Sequence, residues 1–159
     1  MNAVYGEKND LTDDANRIPL IIVKPGSNKK NQRTKALVET ADMYATITDL
    51  AGLPQQSHLQ GVSAKPLLEN PDLKWKRAIF NRYPRAGGKI MGRSVRTAEY
   101  RYSEFVELAT GRVIDRELYE INKDPQQYNN LVDKKDKKQI VDQLKKTLDA
   151  GWRSVVIDK

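Results

Sequence analysis

The sequence predicts an α/β chain, more narrowly an α+β fragment: one strand and one helix that belong to a large sheet, then a small antiparallel sheet with a C-terminal helix. Three observations predict it. Residues 17–23 (RIPLIIV) form a continuous apolar run that suits a strand buried on both faces. Residues 77–121 contain segments of period two, the spacing of half-buried strands. Between Asp133 and Ala150 an apolar stripe at helical spacing crosses a charged surface. A doubly buried strand needs neighbours on each side that the rest of the sequence does not obviously supply, so the pattern reads as part of a longer fold. The expected division is 1–76, an incomplete distal piece of a larger α/β domain, and 77–159, an antiparallel subdomain with a packed helix.

Each element follows from its residues. Residues 1–16 are polar and without periodicity, and read as an irregular lead-in. Pro19 sets the start of the first strand, because proline cannot donate to a ladder, and Pro25 and Gly26 close it. The stretch GSNKKNQRTK is a loop by composition. The following ALVETADMYATITDLAG places Leu37, Ala41, Tyr44, Ile47, Thr48 and Ala51 on one helical face, with Gly52 and Pro54 as stop signals. Pro54, Gly61, Pro66 and Pro71 make residues 54–76 a loop, with a short turn around Ala64 to Leu68. Strands are expected at 77–83, 91–97 and 100–108. The last two are separated by Ala98 and Glu99 alone, which makes a hairpin the economical reading. Residues 116–121 supply a further strand, and Lys123, Asp124 and Pro125 a turn. The final helix, about 136–150, should pack on the sheet through Ile140, Val141, Leu144 and Leu148 and end at Gly151.

Composition bounds the chemistry. The chain has 159 residues and no cysteine, which excludes disulfides, thiolate metal sites and a thiol nucleophile. No apolar run approaches the roughly 20 residues that span a bilayer. The N-terminus MNAVYGEKND lacks the basic and apolar regions of a signal peptide, so nothing in the chain as written directs export and the compartment stays open. A net charge of +7 attracts anions, including nucleic acid, sulfated glycans and membrane surfaces. Much of the excess lies in two tracts, Lys29, Lys30, Arg33 and Lys35, and Lys134, Lys135, Lys137 and Lys138. Runs of this kind read as solvated faces before they read as a binding patch.

Four blocks in order resemble the distal third of the sulfatases, of the alkaline phosphatase-like superfamily, and in particular the iduronate-2-sulfatase branch. They are RIPLIIVKPG; VETADMYATITDLAGLPQQSHLQGVSAKPLL; AIFNRYPR with KIMGRSVRTAEYRYSEFVE; and ELYEINKDPQQYNNLVD. The resemblance covers roughly residues 5–153, and the iduronate branch rests on RYPR and IMGRSVRT. It implies that the first block is a strand of the large sulfatase sheet. The second is a helix whose usual Asp, aromatic, Pro, Thr pattern stands here as Asp42, Met43, Tyr44, Ala45 and Thr46, with alanine as the departure. The last two are the C-terminal subdomain.

The resemblance also implies a chemistry whose apparatus this chain does not carry. Such sulfatases use a formylglycine made from the Cys or Ser of a C/S-x-P-x-R motif. This chain has no cysteine, and no serine stands in that pattern. They bind Ca²⁺ through clustered Asp and Asn oxygens. The later ligand pair of the family would fall just before VYGEK, and the family's active-site lysine has no counterpart in NDLTDDANRIP; Lys8 aligns with a variable residue. No catalytic and no metal-binding residue is therefore expected. Asp10, Asp13 and Asp14 resemble a calcium site in composition alone. His58, the single histidine, lies in a Pro- and Gln-rich loop with no orienting partner. Tyr100, Arg101 and Tyr102 favour cross-strand packing over sugar stacking. The candidate substrate-binding residues are Arg85 and Lys89, which flank Gly87 and Gly88 where the resemblance places a loop near the mouth of the substrate pocket; a cationic loop there can pair with a uronate or a second sulfate. Two readings stay open. The chain is the C-terminal part of a sulfatase whose intact form hydrolyses sulfate esters on polysaccharides and requires the missing N-terminal part, or it is a non-catalytic sulfatase-like module that binds polyanions.

Overall fold

Backbone hydrogen bonds over residues 78–120 build a four-stranded antiparallel meander whose strand order equals sequence order, β1-β2-β3-β4. The strands are β1 (Ala78–Arg85), β2 (Ile90–Thr97), β3 (Tyr100–Glu107) and β4 (Val113–Glu120). The computed structural model describes residues 11–27, 29 and 31–155. Helices in chain order are α1 (Asp13–Asn16), α2 (Ala41–Leu50), α3 (Lys65–Glu69) and α4 (Lys138–Ala150). The chain divides into two compact units: residues 11–19 group with 78–155, and residues 20–77 form the other. The grouping of 11–19 with the sheet was not visible in the sequence.

In the sheet unit, period two sorts side chains onto two faces. One face carries Val95, Tyr102 and Leu118, all fully buried, against Val141, Leu144 and Leu148 of α4, with Ile140 partly buried beside them. The four apolar positions of the final helix pack as their spacing predicts. The opposite face is more polar: Asn81, Ser94, Ser103 and Glu117 are register partners in a row across all four strands. Residues 11–16 lie on this face. Leu11 is 1% exposed, and Asp13 ion-pairs with Arg96 at 2.9 Å and with Arg101. The expected irregular lead-in is thus in part the short α1, seated by ion pairs that no periodicity announces.

In the other unit, α2 forms where predicted but buries a different face. Asp42, Ala45, Thr46 and Thr48 are buried, whereas Tyr44 is 57% and Ile47 60% exposed. The expected turn around Ala64 is α3, with Pro66 in its first turn. The run at 17–23 forms no strand and has no ladder partner among the described residues: the four strands pair with one another only. A β-rich run becomes a strand by hydrogen bonding to neighbours, and here Ile18, Leu20, Ile21 and Val23 stay 43–84% exposed.

Candidate functional site

The two candidate residues lie at one end of the sheet. β1 and β2 are joined by Ala86–Gly88, where Ala86 (φ 50°), Gly87 (φ 63°) and Gly88 (φ 85°) all take left-handed backbone. For alanine this conformation is unfavourable, and such strain persists where the surroundings impose it. Arg85 stacks its guanidinium 4.2 Å from the centre of the Phe105 ring. Gly92, register partner of both Tyr83 and Phe105, stands beside that ring. A Cβ at Gly92 would stand 3.2 Å from Phe105 and 3.0 Å from Leu11. Lys89 is exposed, and its carbonyl accepts a hydrogen bond of 2.9 Å from the Leu108 amide, tying the β1–β2 turn to the β3–β4 turn. The structure therefore places Arg85 and Lys89 on one turn, Arg85 half-buried and held by a ring, Lys89 in solvent.

The other sequence candidates are accounted for by packing. Tyr102 is fully buried and donates to Glu104 at 2.7 Å; burial, then that hydrogen bond, push its hydroxyl far above the ordinary tyrosine range. Tyr100 packs on the core with Lys137 over its ring, and Arg101 is buried against Asp13. His58 is exposed. Calcium does not fit these residues. The ion takes about six to eight oxygens, yet among the described residues no group of three or more His, Asp or Glu converges, and the Asp13 oxygens face two guanidinium groups. Asp10 lies outside the described residues.

Two ionic clusters escaped sequence reasoning. Glu104, fully buried, receives Arg93 at 2.5 Å, and Arg93 also meets Asp149 of α4 at 2.8 Å. In the other unit Lys76, with a side chain 3% exposed, contacts Asp42 at 2.6 Å and Glu39 at 3.0 Å. Asp42 also accepts the amides of Glu39 (2.9 Å) and Val62 (2.7 Å), while Thr46 accepts that of Ala64 at 2.9 Å. The motif positions Asp42 and Thr46 thus act as a clamp on the loop that follows the helix. Their polarity inside a helical apolar pattern was the signal.

With this geometry in place, comparison with known proteins identifies the chain. Residues 4–153 match the family N-sulphoglucosamine sulphohydrolase, C-terminal. The chain belongs to that family. It is a sulfatase C-terminal part. Over 151 residues it is 27% identical to N-acetylglucosamine-6-O-sulfatase of Bacteroides thetaiotaomicron, covering 89% of this chain and 26% of that protein. Over 131 residues it is 28% identical to arylsulfatase K of Danio rerio, covering 78% and 24%. A solved 2-O GAG sulfatase superposes with a TM-score of 0.58 at 27% identity, covering 69% of this chain and 23% of that one. This sulfatase C-terminal chain spans about a quarter of the length of the relatives it matches. Its ELYEINKDPQQYNNLVD block now has a physical role. Asp124 accepts the amides of Tyr128 (3.1 Å) and Asn129 (2.7 Å), and Asn130 bonds the β4 backbone through the Leu118 amide (2.9 Å) and the Arg116 carbonyl (3.0 Å). The block folds the chain back along β4 toward α4.

Proposed function

We propose that this chain is the C-terminal part of a sulfuric ester hydrolase of iduronate-2-sulfatase type, acting in its intact form on sulfated glycans. The observation that carries the reading is the family match over residues 4–153 together with the quarter-length share of full sulfatases that the chain spans. The exposed apolar side chains of α2 and of residues 18–23 favour it as well, since large apolar surface left open in a soluble chain marks a place another part of the fold covers. In this reading the rest of the enzyme supplies the formylglycine nucleophile and the Ca²⁺. Arg85 and Lys89 bind an anionic group of the glycan away from the reacting ester. Stacking on Phe105 fixes the plane of the Arg85 guanidinium, and that lowers the entropy lost on pairing a carboxylate or sulfate.

By itself the chain should hydrolyse no sulfate ester. Covalent catalysis requires an activated nucleophile, and a sequence with no cysteine and no serine in the modification motif does not offer the family's one. The experiment is an aryl sulfate assay with added Ca²⁺, run beside a full-length relative; turnover by this chain alone overturns the reading. The net charge of +7 favours a second reading, a non-catalytic module that binds polyanions. The DNA preceding Met1 decides between them. A formylglycine motif and an Asp-His pair, in frame or in the adjacent gene, leave the module without support.

A further inference from the structure

We propose that Leu11 is a positioning residue for the anion contact of Arg85: set beside the Phe105 ring over Gly92, it fixes the surface on which the Arg85 guanidinium lies. The proposal rests on the reading of Arg85 given above and adds to it a residue, from outside the sheet, that touches no ligand. Gly92 of β2 is the meeting point. A Cβ there would stand 3.0 Å from Leu11 Cδ1 and 3.2 Å from Phe105 Cε1, so the leucine methyl and the edge of the ring share the space above the glycine. They also close it to water, Leu11 being 1% and Phe105 4% exposed. The same ring carries the Arg85 guanidinium, 4.2 Å from its centre. Side chains packed to this density transmit displacement, so a void or an intrusion at Leu11 is passed to the ring and from the ring to the arginine.

Leu11 can hold the ring because its own segment is held. Two residues on, Asp13 pairs with Arg96 of β2 at 2.9 Å and with Arg101 of β3. The Asn16 side-chain oxygen accepts from the Asn81 amide of β1 at 3.0 Å. Three strands thus pin residues 11–16 to the sheet. The pinning bears on binding because an arginine loses rotamer freedom when it pairs with an anion, and a guanidinium already laid on a fixed ring loses less. Leu144 supplies the contrast. It is 6% exposed, in the core on the opposite face of the sheet, so its truncation removes packing without removing a neighbour of the ring.

The test measures the affinity of the full chain for a heparin-derived oligosaccharide by calorimetry over a salt series, together with the proton shifts of the Arg85 δ-methylene, which the Phe105 ring current displaces. Arg85→Ala should lose about fivefold and show a shallower salt slope, as loss of one ion pair does. Leu11→Ala and Gly92→Ala should each lose about two- to threefold, the lower range of a cation–π stack. Their salt slope should be unchanged, since no charge is removed, and the Arg85 shifts should move toward those of an unstacked arginine. Leu11→Met, which keeps the volume, should retain both affinity and shifts. Leu144→Ala should lower the urea midpoint yet retain both, which separates positioning from stability. Normal affinity or unmoved Arg85 shifts in Leu11→Ala and Gly92→Ala, or an equal loss of affinity in Leu144→Ala, would overturn the proposal. Normal binding by Arg85→Ala would overturn the anion-contact reading of Arg85 and this proposal with it, whereas weakened binding by Arg85→Ala beside normal binding by the Leu11 and Gly92 variants overturns this proposal alone. The aryl sulfate result stands apart from each of these outcomes.

Discussion

At the scale of single residues, the chain holds its loops and termini with buried charge. Lys76 neutralises an Asp42 carboxylate that has no exposure to water, so Lys76→Ala leaves an uncompensated buried anion. The expected cost is about 3–5 kcal/mol. Trp75, whose indole donates to the Leu37 carbonyl at 3.1 Å, reports on the same region, and a fall in the urea midpoint of its fluorescence checks the expectation. Gly61→Ala should act alike, because its Cβ would stand 1.9 Å from the Ala41 carbonyl oxygen, a backbone atom that cannot step aside. Asp13 makes a pH prediction. Burial raises its pKa, and hydrogen bonds and charge from Arg96 and Arg101 more than offset this, leaving the carboxyl below its ordinary value. A depressed folded-state pKa stabilises fully above the unfolded value of about 3.9 and is lost as pH falls through the folded one. Protection of residues 11–16 against hydrogen exchange, taken relative to the intrinsic rate at each pH, should therefore be full at pH 7 and fall below about pH 4, and Asp13→Asn should lower the protection at pH 7 and remove that acid step.

At the scale of elements, α4 and α2 behave oppositely. α4 buries its apolar stripe on the sheet, so Leu144→Ala should cost about 2–5 kcal/mol by transfer and cavity terms, read as a loss in thermal or urea stability. α2 buries its polar motif and leaves Tyr44 and Ile47 in solvent, so replacing both by serine should change stability by no more than about 0.5 kcal/mol and reduce self-association seen by light scattering. The contrast explains what was legible beforehand. Four strands, the two-residue turn at Ala98 and Glu99, and the packing positions Ile140, Val141, Leu144 and Leu148 could be read because period and turn chemistry are local properties. The seat of Asp13 on Arg96 and Arg101, and the reach of Arg93 to Asp149, join positions 56 to 88 residues apart, and no local pattern encodes such pairing. The run at 17–23 joins no ladder among the described residues, because a continuous apolar run reports what a segment suits, while a ladder also needs a partner. Of the candidate site, the placement of Arg85 and Lys89 on one turn was readable from the glycines between them, whereas the bond from the Leu108 amide to the Lys89 carbonyl comes from β2–β3 pairing and the stack of Arg85 on Phe105 from tertiary packing.

At the scale of the whole molecule, exposed apolar side chains and a charge of +7 predict two solution properties. Binding to sulfated glycan should fade above about 0.15 M salt, where the screening length is about 8 Å, as a salt series would show. The isolated chain should also be cut first, in limited proteolysis, within residues 17–60; a monomer resistant throughout that region would contradict the exposure of Ile21 and Val23. The order in which the sheet unit assembles follows from its two pieces. Strands of the meander neighbour one another in sequence and close through short turns, whereas Asp13 meets Arg101 across 88 residues. Contacts of such separation form late. On a ribosome adding about 5–20 residues per second, residues 11–19 emerge about 5–20 s before β4 is complete, and for that interval Asp13 and Leu11 have no sheet to sit on. A nascent chain paused before residue 101 should therefore expose the α1 segment to protease, and one released beyond residue 155 should protect it.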